Sequence, residues 1–280
     1  MRDKKKLSIT LMILLVFFVL PLFVTITNAF MTADAINEAY PLSSGGSEGT
    51  FFGFKLIPEM FSINQFYTVL VKEPLYLKLF WNSVFVVLPI LFGQLLVATM
   101  AGYAFAKFKF KGKNLLFLVY LILMVMPFQV TLVPNYLVMD YLGLINTKGA
   151  LILPGVFSAF GVFLMTQFVK QIPNELFEQA SVDGCSQLQV FFKIVVPLAR
   201  NGILALGMLI FIDYWNMVEQ PLVLMKEVTQ YPLSVFLSFI NDNQMGVAFA
   251  SSLIYMVPVL IVFGLGEKYL IDGISQSAIK

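Results

Sequence analysis

Residues 80–113 read FWNSVFVVLPILFGQLLVATMAGYAFAKFKFKGK. From Phe80 to Phe105 no residue is charged, and Lys107, Lys109, Lys111 and Lys113 follow at once. Crossing about 30 Å of hydrocarbon takes about 20 mostly apolar residues in a helix. The apolar part is long enough to span a bilayer, and the basic block behind it reads as a tight turn at a water interface. The rest of the chain agrees. It is 59% hydrophobic and only 12% charged, against about 25% charged in soluble domains. That leaves too little polar surface to clothe a water-soluble core, so lipid is the solvent this composition calls for.

Working outward, five more runs of similar character give six expected spans, at about 7–29, 80–105, 115–138, 150–168, 203–224 and 247–270. The expected fold class is an all-α membrane protein with six transmembrane helices. The first run follows Met1-Arg-Asp-Lys-Lys-Lys6, a basic start like that of a signal peptide. Its apolar length of about 20 residues exceeds the usual 7–15-residue signal core, which favours a retained anchor; Thr27-Asn-Ala29 keeps a cleaved leader as an alternative.

Basic residues set the orientation. With the N-terminus inside, cytoplasmic segments hold thirteen of the eighteen Lys and Arg, and external segments hold Lys55, Lys72, Lys78, Lys148 and Lys226. The bias places both termini in the cytoplasm of a multi-pass cell-membrane protein. Residues 1–79 then form an anchor helix and external segment, with a flexible Ser- and Gly-rich tract at 43–49 and an interfacial stretch at 58–67. Residues 80–272 form the membrane core, with a cytoplasmic loop at 170–202, and 273–280 a cytoplasmic tail.

The composition also excludes chemistry. There is no His, which removes imidazole ligands and His-based proton relays. With one cysteine, Cys185, no intrachain disulfide or Cys-based zinc site can form. No phosphate-cradling G-x-x-x-x-G-K-[ST] occurs. No catalytic residue, bound cofactor, metal site or nucleic-acid partner is expected of this chain.

The loop at 170–202 has internal structure. Pro173 suits a first helical turn, Glu175 and Glu178 complement the dipole there, and Gly184 marks a stop. A second short helix is expected from Cys185 to Val196, ended by Pro197, with Phe191, Ile194 and Val195 on one apolar stripe. Two short helices around a glycine form a rigid knob that fits a groove on a partner. A plain inter-helix connector has the same pattern, and the residues alone leave both readings open.

Here the chain resembles a family. Glu178-Gln-Ala180, Asp183-Gly184, Phe191, Ile194 and Pro197 resemble the EAA loop of ABC-importer permeases. Met126-Pro-Phe-Gln-Val-Thr131 with Pro134, Leu142-Gly-Leu-Ile-Asn-Thr147, Phe160-Gly-Val-Phe-Leu164, Trp215-Asn216 with Pro221 and the tail from Gly273 are similar to permeases of the carbohydrate-uptake class, the maltose-type second permease among them. The resemblance runs through nearly the whole chain, in order. It implies the type I importer, MetI-like fold. It also implies a second permease subunit, two ATPase subunits that hold ATP and Mg, an extracellular solute-binding protein and a sugar or oligosaccharide as solute. Glu178, Ala180, Asp183, Gly184, Phe191, Ile194 and Pro197 are then expected to couple this chain to an ATPase. Gln179, Cys185 and Asn201 depart from the pattern without touching Glu178, Asp183 or Gly184; Met217, Val218, Glu219 and Gln220 depart more, and bear on the solute.

Polar groups inside spans are costly and mark function or helix pairing. Gln94, Gln129, Thr131, Asn135, Asp213 and Asn216 are such groups. Pro127 and Pro134 should bend the helix that carries Gln129 and Asn135, and a bent helix frees backbone groups to line a water-filled path. Asp213, about 15 Å along its span from residue 203, falls near the midplane. Gln129, Asn135, Asp213, Trp215 and Asn216 are the expected path residues, Asp213 accepting hydrogen bonds from solute hydroxyls beside the Trp215 ring. Gly93, Ala98 and Gly102 are expected to serve close packing. An ion-coupled secondary transporter is the alternative; it favours matched inverted halves, and none is detected.

Overall fold

The uncharged run at 80–105 lies within a single long helix, although Pro89 sits inside it. The computed structural model describes residues 2–40, 60–239 and 245–278, and all regular structure among them is helical. The expected tract at 43–49, Lys55 and the first residues of the 58–67 stretch lie outside the described residues. In chain order the elements are α1 (Arg2–Ala29), α2 (Ala33–Ala39), α3 (Asn64–Tyr67), α4 (Pro74–Lys107), α5 (Lys113–Val125), α6 (Phe128–Tyr141), α7 (Lys148–Gly155) and α8 (Ala159–Lys170). There follow α9 (Asn174–Val182), α10 (Gln187–Val190), α11 (Val196–Leu198), α12 (Arg200–Trp215), α13 (Glu219–Leu224), α14 (Leu233–Leu237) and α15 (Met245–Ala278).

Two compact units result: Met1–Phe80 with Val235–Pro258, and Trp81–Ser234 with Val259–Lys280. Residues 235–258 thus group with the N-terminal part of the chain by contacts. Within the first unit the reason is packing: the Tyr76 hydroxyl donates to the Ser251 carbonyl at 2.8 Å, and Gln65 lies so close to Gly246 that a Cβ there would sit 2.4 Å from its Nε2.

Within the second unit, small residues set the helix spacing. A Cβ on Gly93 would meet Val156, one on Gly161 meets Ala98, and one on Gly102 would meet Met165 at 2.7 Å. The paired numbers rise together, so α4 runs parallel to the α7–α8 segment, as alternating spans require. Gly202 lies against Phe168, and the Tyr214 hydroxyl lies 3.4 Å from the Gly155 carbonyl, so α12 runs antiparallel to α8. The expected close-packing roles of Gly93, Ala98 and Gly102 are met.

Among the described residues, four helical stretches are long and apolar enough to cross a membrane: Leu7–Ala29, Pro74–Lys107, Lys148–Lys170 and Met245–Tyr269. The third expected span is a bent pair of helices, and the helix that opens the fifth is bent against the loop segment before it. α5 and α6 meet at 107°, because Met126 is extended before Pro127, as a pre-proline residue prefers. The fifth expected span, 203–224, is corrected at both ends: α12 starts at Arg200 after a 77° bend at Ala199 and stops at Trp215, where Asn216 caps the helix and its Nδ2 donates to the Ile212 carbonyl at 2.7 Å. The last helix, α15, continues through Gly273 to Ala278.

Candidate functional site

The loop at 170–202 folds as two short helical pieces around Gly184. Pro173 caps α9, which ends at Asp183, and Gly184 takes a φ of +73°, a conformation glycine adopts without Cβ strain. Ser186 and Gln189 then close a capping box at the start of α10. The second helix does not run unbroken to Pro197. Phe191–Val195 forms a wide π turn in which the Val196 amide donates to the Phe191 carbonyl, and Pro197 lies inside α11. Proline has no amide to donate and crowds the preceding turn, and the wider turn relieves this.

The seven expected coupling residues divide into two groups. Ala180 and Phe191 are buried and Ile194 is half-buried, all packed on the core. Glu178, Asp183, Gly184 and Pro197 are exposed. Glu178, Asp183, Glu175, Gln179 and Val182 line one open depression of about 530 Å³ on the outer face of α9, and Val182 is 87% exposed.

Two residues of α4, absent from the expected set, hold this knob. Lys107 Nζ donates to the Ile172 carbonyl at 2.6 Å and to Asn174 Oδ1 at 2.9 Å, and it lies 4.7 Å above the Phe177 ring. The Tyr103 hydroxyl donates to Gln187 Oε1 at 2.8 Å, and its ring lies 5.9 Å from Phe177 and 6.2 Å from Phe191. The sequence presents Lys107 as one of four lysines in a turn. Nothing in that pattern distinguishes it from Lys109 or Lys111.

At the other end of α12 the polar residues gather. Gln129, Asp213, Asn216 and Glu219 line an open cavity of about 570 Å³, with Gln129 Nε2 donating to Glu219 Oε2 at 3.4 Å. A second cavity of about 470 Å³ lies against the same turn of α12 and shares Ile212, Asp213 and Tyr214 with the first. Asn135 lines a third, smaller one with Thr131, Tyr214 and Gln220. Trp215 is not with them: it is 2% exposed and stacks on Phe211 at 5.3 Å. Its expected place beside the path is corrected. One residue after Asp213 is about 100° around a helix, and two are about 200°, so Trp215 faces the core when Asp213 faces the cavity.

Glu219 was read only as a departure from the family pattern, and Asn146 was not assigned a role. Asn146 has a φ of 63°. Its amide donates to the Leu224 carbonyl, its Oδ1 accepts from the Lys226 and Glu227 amides, and its Nδ2 donates to Glu227 Oε1. These bonds tie the turn after α6 to the strap after α13, the two elements that bring Gln129 and Glu219 together.

Residues 94–269 match the family described as binding-protein-dependent transport system inner membrane component. The chain belongs to this family. It is a multi-pass membrane permease and a component of a transport system. The permease is 32% identical to the arabinooligosaccharides transport system permease protein of Halalkalibacterium halodurans over 226 residues, covering 80% of this chain and 81% of that one. It is 31% identical to the lactose transport system permease protein of Rhizobium radiobacter over 201 residues, 71% of this chain and 74% of that one. In fold it is similar to a crystal structure of a bacterial ABC transporter involved in the import of the acidic polysaccharide alginate, with a TM-score of 0.81 at 21% identity over 96% of this chain and 98% of that one. The expected MetI-like, ABC-importer permease fold is thus the fold of this permease.

Proposed function

We propose that this permease is one of two membrane subunits of a saccharide importer, receiving solute from an external binding protein and driven by two ATPase subunits. ATP and Mg belong to those subunits, and this chain binds no cofactor of its own. The observation that carries the reading is the knob. Its α9 face presents Glu178, Val182 and Asp183 to a partner, while Lys107 and Tyr103 fasten its other side to the end of α4. A rigid lever on a membrane helix is what a bistable membrane pair needs if ATPases are to bind its two states differently. The thirteen-to-five division of basic residues supports a cytoplasmic side for this knob and for both termini. The relatives' transport of arabinooligosaccharides and lactose supports a saccharide as solute.

The test is reconstitution in vesicles with the second permease, the ATPases and the binding protein. Uptake should require ATP, and the ATPase should co-purify with the permease. A reporter fused near Lys193 should report cytoplasm. Uptake driven by an ion gradient without the ATPase would establish the secondary-transporter alternative instead.

A further inference from the structure

Gln94 is 4% exposed, and its Oε1 has no hydrogen-bond partner among the described residues. A buried acceptor left unpaired costs about 1–3 kcal/mol, so a donor from outside the chain is called for. Gln94 lines the cavity of about 470 Å³ that also meets Ser158, Phe160, Asp213 and Tyr214. That volume lies in the range of about 300–1,000 Å³ typical of small-molecule sites. Helix counting places the two polar residues at one depth. Gln94 is 107 − 94 = 13 positions from Lys107 at the end of α4, and Asp213 is 213 − 200 = 13 positions from Arg200 at the start of α12. Both are about 20 Å from the end of the permease that carries the knob.

The charge of this region is one-sided. Among the described residues, Asp213 and Glu219 are the charged ones lining the three cavities around the last turn of α12, and no Lys or Arg lines any of them. Carbonyl and carboxylate oxygens accept hydrogen bonds, and sugar hydroxyls donate them. Phe160 and Tyr214 offer apolar faces to the C–H side of a ring. A uronate entering the same space would meet like charge with no counter-cation, at a depth where water screens little.

Resting on the importer reading, we propose that the recess of Gln94 and Asp213 is where this chain itself grips the solute, and that it selects uncharged saccharides over acidic ones. Gln94 Oε1 takes a hydrogen bond from a ring hydroxyl. Asp213 takes a second one and repels anions.

The assembled complex of both permeases and two ATPases, held in nanodiscs without binding protein, provides the test by ligand-observed saturation-transfer NMR. The neutral probes are arabinotriose, lactose and diacetylchitobiose, and the acidic probe is digalacturonate. At least one neutral probe should give a signal and digalacturonate none. Gln94→Leu should cut the neutral signal by at least about threefold, the loss of one hydrogen bond, and Asp213→Asn should raise the digalacturonate signal. Equal signals from acidic and neutral probes, silence from all neutral probes, or a neutral signal unchanged in Gln94→Leu would overturn the proposal. If Gln94→Leu does not assemble, by size exclusion, Asp213→Asn decides: a gain of digalacturonate signal supports the recess and its absence overturns it. ATP-dependent uptake is measured on the same purified unaltered complex after reconstitution in vesicles together with its binding protein. Uptake without this discrimination defeats the recess alone, while no uptake defeats the importer reading beneath it.

Discussion

The knob and the polar cavities occupy opposite ends of the same unit and are built by opposite rules. In the knob the turn chemistry is local: Pro173, Gly184 and the Ser186–Gln189 box set it within seventeen consecutive residues (173–189), and its buried side is closed by Tyr103 and Lys107. Around the last turn of α12 the polar groups come from α4, α6, α12 and the start of α13, and one of them, Gln94 Oε1, has no partner among the described residues. The knob is finished before any partner arrives. The cavity is not, and the difference suits a lever at one end and a transient binding surface at the other.

Trp215 is where the comparison can be broken most severely. It belongs to the core beneath the cavity, so Trp215→Ala should cost about 3–5 kcal/mol of stability, as deletion of a buried aromatic does. Recovery of folded permease should collapse, and uptake per folded complex should not change solute preference. An altered preference in well-folded protein would return Trp215 to the path.

Gly184 tests the lever. Beyond its own chain neighbours nothing lies within 4 Å of where its Cβ would be, so the penalty of a side chain comes from the local backbone alone. A β-branched residue with φ near +73° is strained by about 1–2 kcal/mol, whereas Asn tolerates the same conformation. Gly184→Val should therefore lower uptake about tenfold at that strain and leave the complex assembled, while Gly184→Asn stays near the unaltered level. Equal behaviour of the two variants would detach the turn from coupling.

The path is probed by Asp213. At matched complex levels, Asp213→Leu should abolish uptake and Asp213→Asn should weaken it or shift solute preference. Normal uptake by the leucine variant would remove Asp213 from the path.

The smallest expected effect is at the fastening of the knob. Tyr103→Phe deletes one neutral hydrogen bond, worth about 0.5–1.5 kcal/mol, and should lower uptake per ATP hydrolysed by a few-fold. Lys107→Met deletes two charge-assisted bonds and should do more, with Lys109→Met as the control that changes the same charge without touching Ile172 or Asn174. If Lys107→Met and Lys109→Met match, the lysines of this turn act through topology alone.

Span count and the knob's turns were legible because they rest on composition and on neighbours in sequence. Apolar length identifies a membrane helix wherever it occurs, and a proline, a glycine and a capping pair act within a few residues of themselves. The breaks were partly legible. Pro127 foretold a bend in the third span, though not its size of 107°, while the stop of α12 at Trp215 was hidden because apolar residues resume at Pro221-Leu-Val-Leu224 and extend the run to a full span length. Glu219 and Asn146 looked like a family departure and a loop residue, because their roles depend on Gln129 and Glu227, which are 90 and 81 positions away.

By itself, the sequence determined that this chain lives in lipid and that a glycine-centred knob interrupts its membrane helices. Each follows from transfer free energy or short-range backbone chemistry. Only the tertiary structure decided which polar residues share a space. The same helix, α12, turns Trp215 inward to Phe211 and Asp213 outward to the cavity. Whether a side chain meets a ligand or a neighbour is settled by the helices packed around it, and their spacing is set by Gly93, Gly102 and Gly202 against Val156, Met165 and Phe168, contacts between residues more than thirty positions apart.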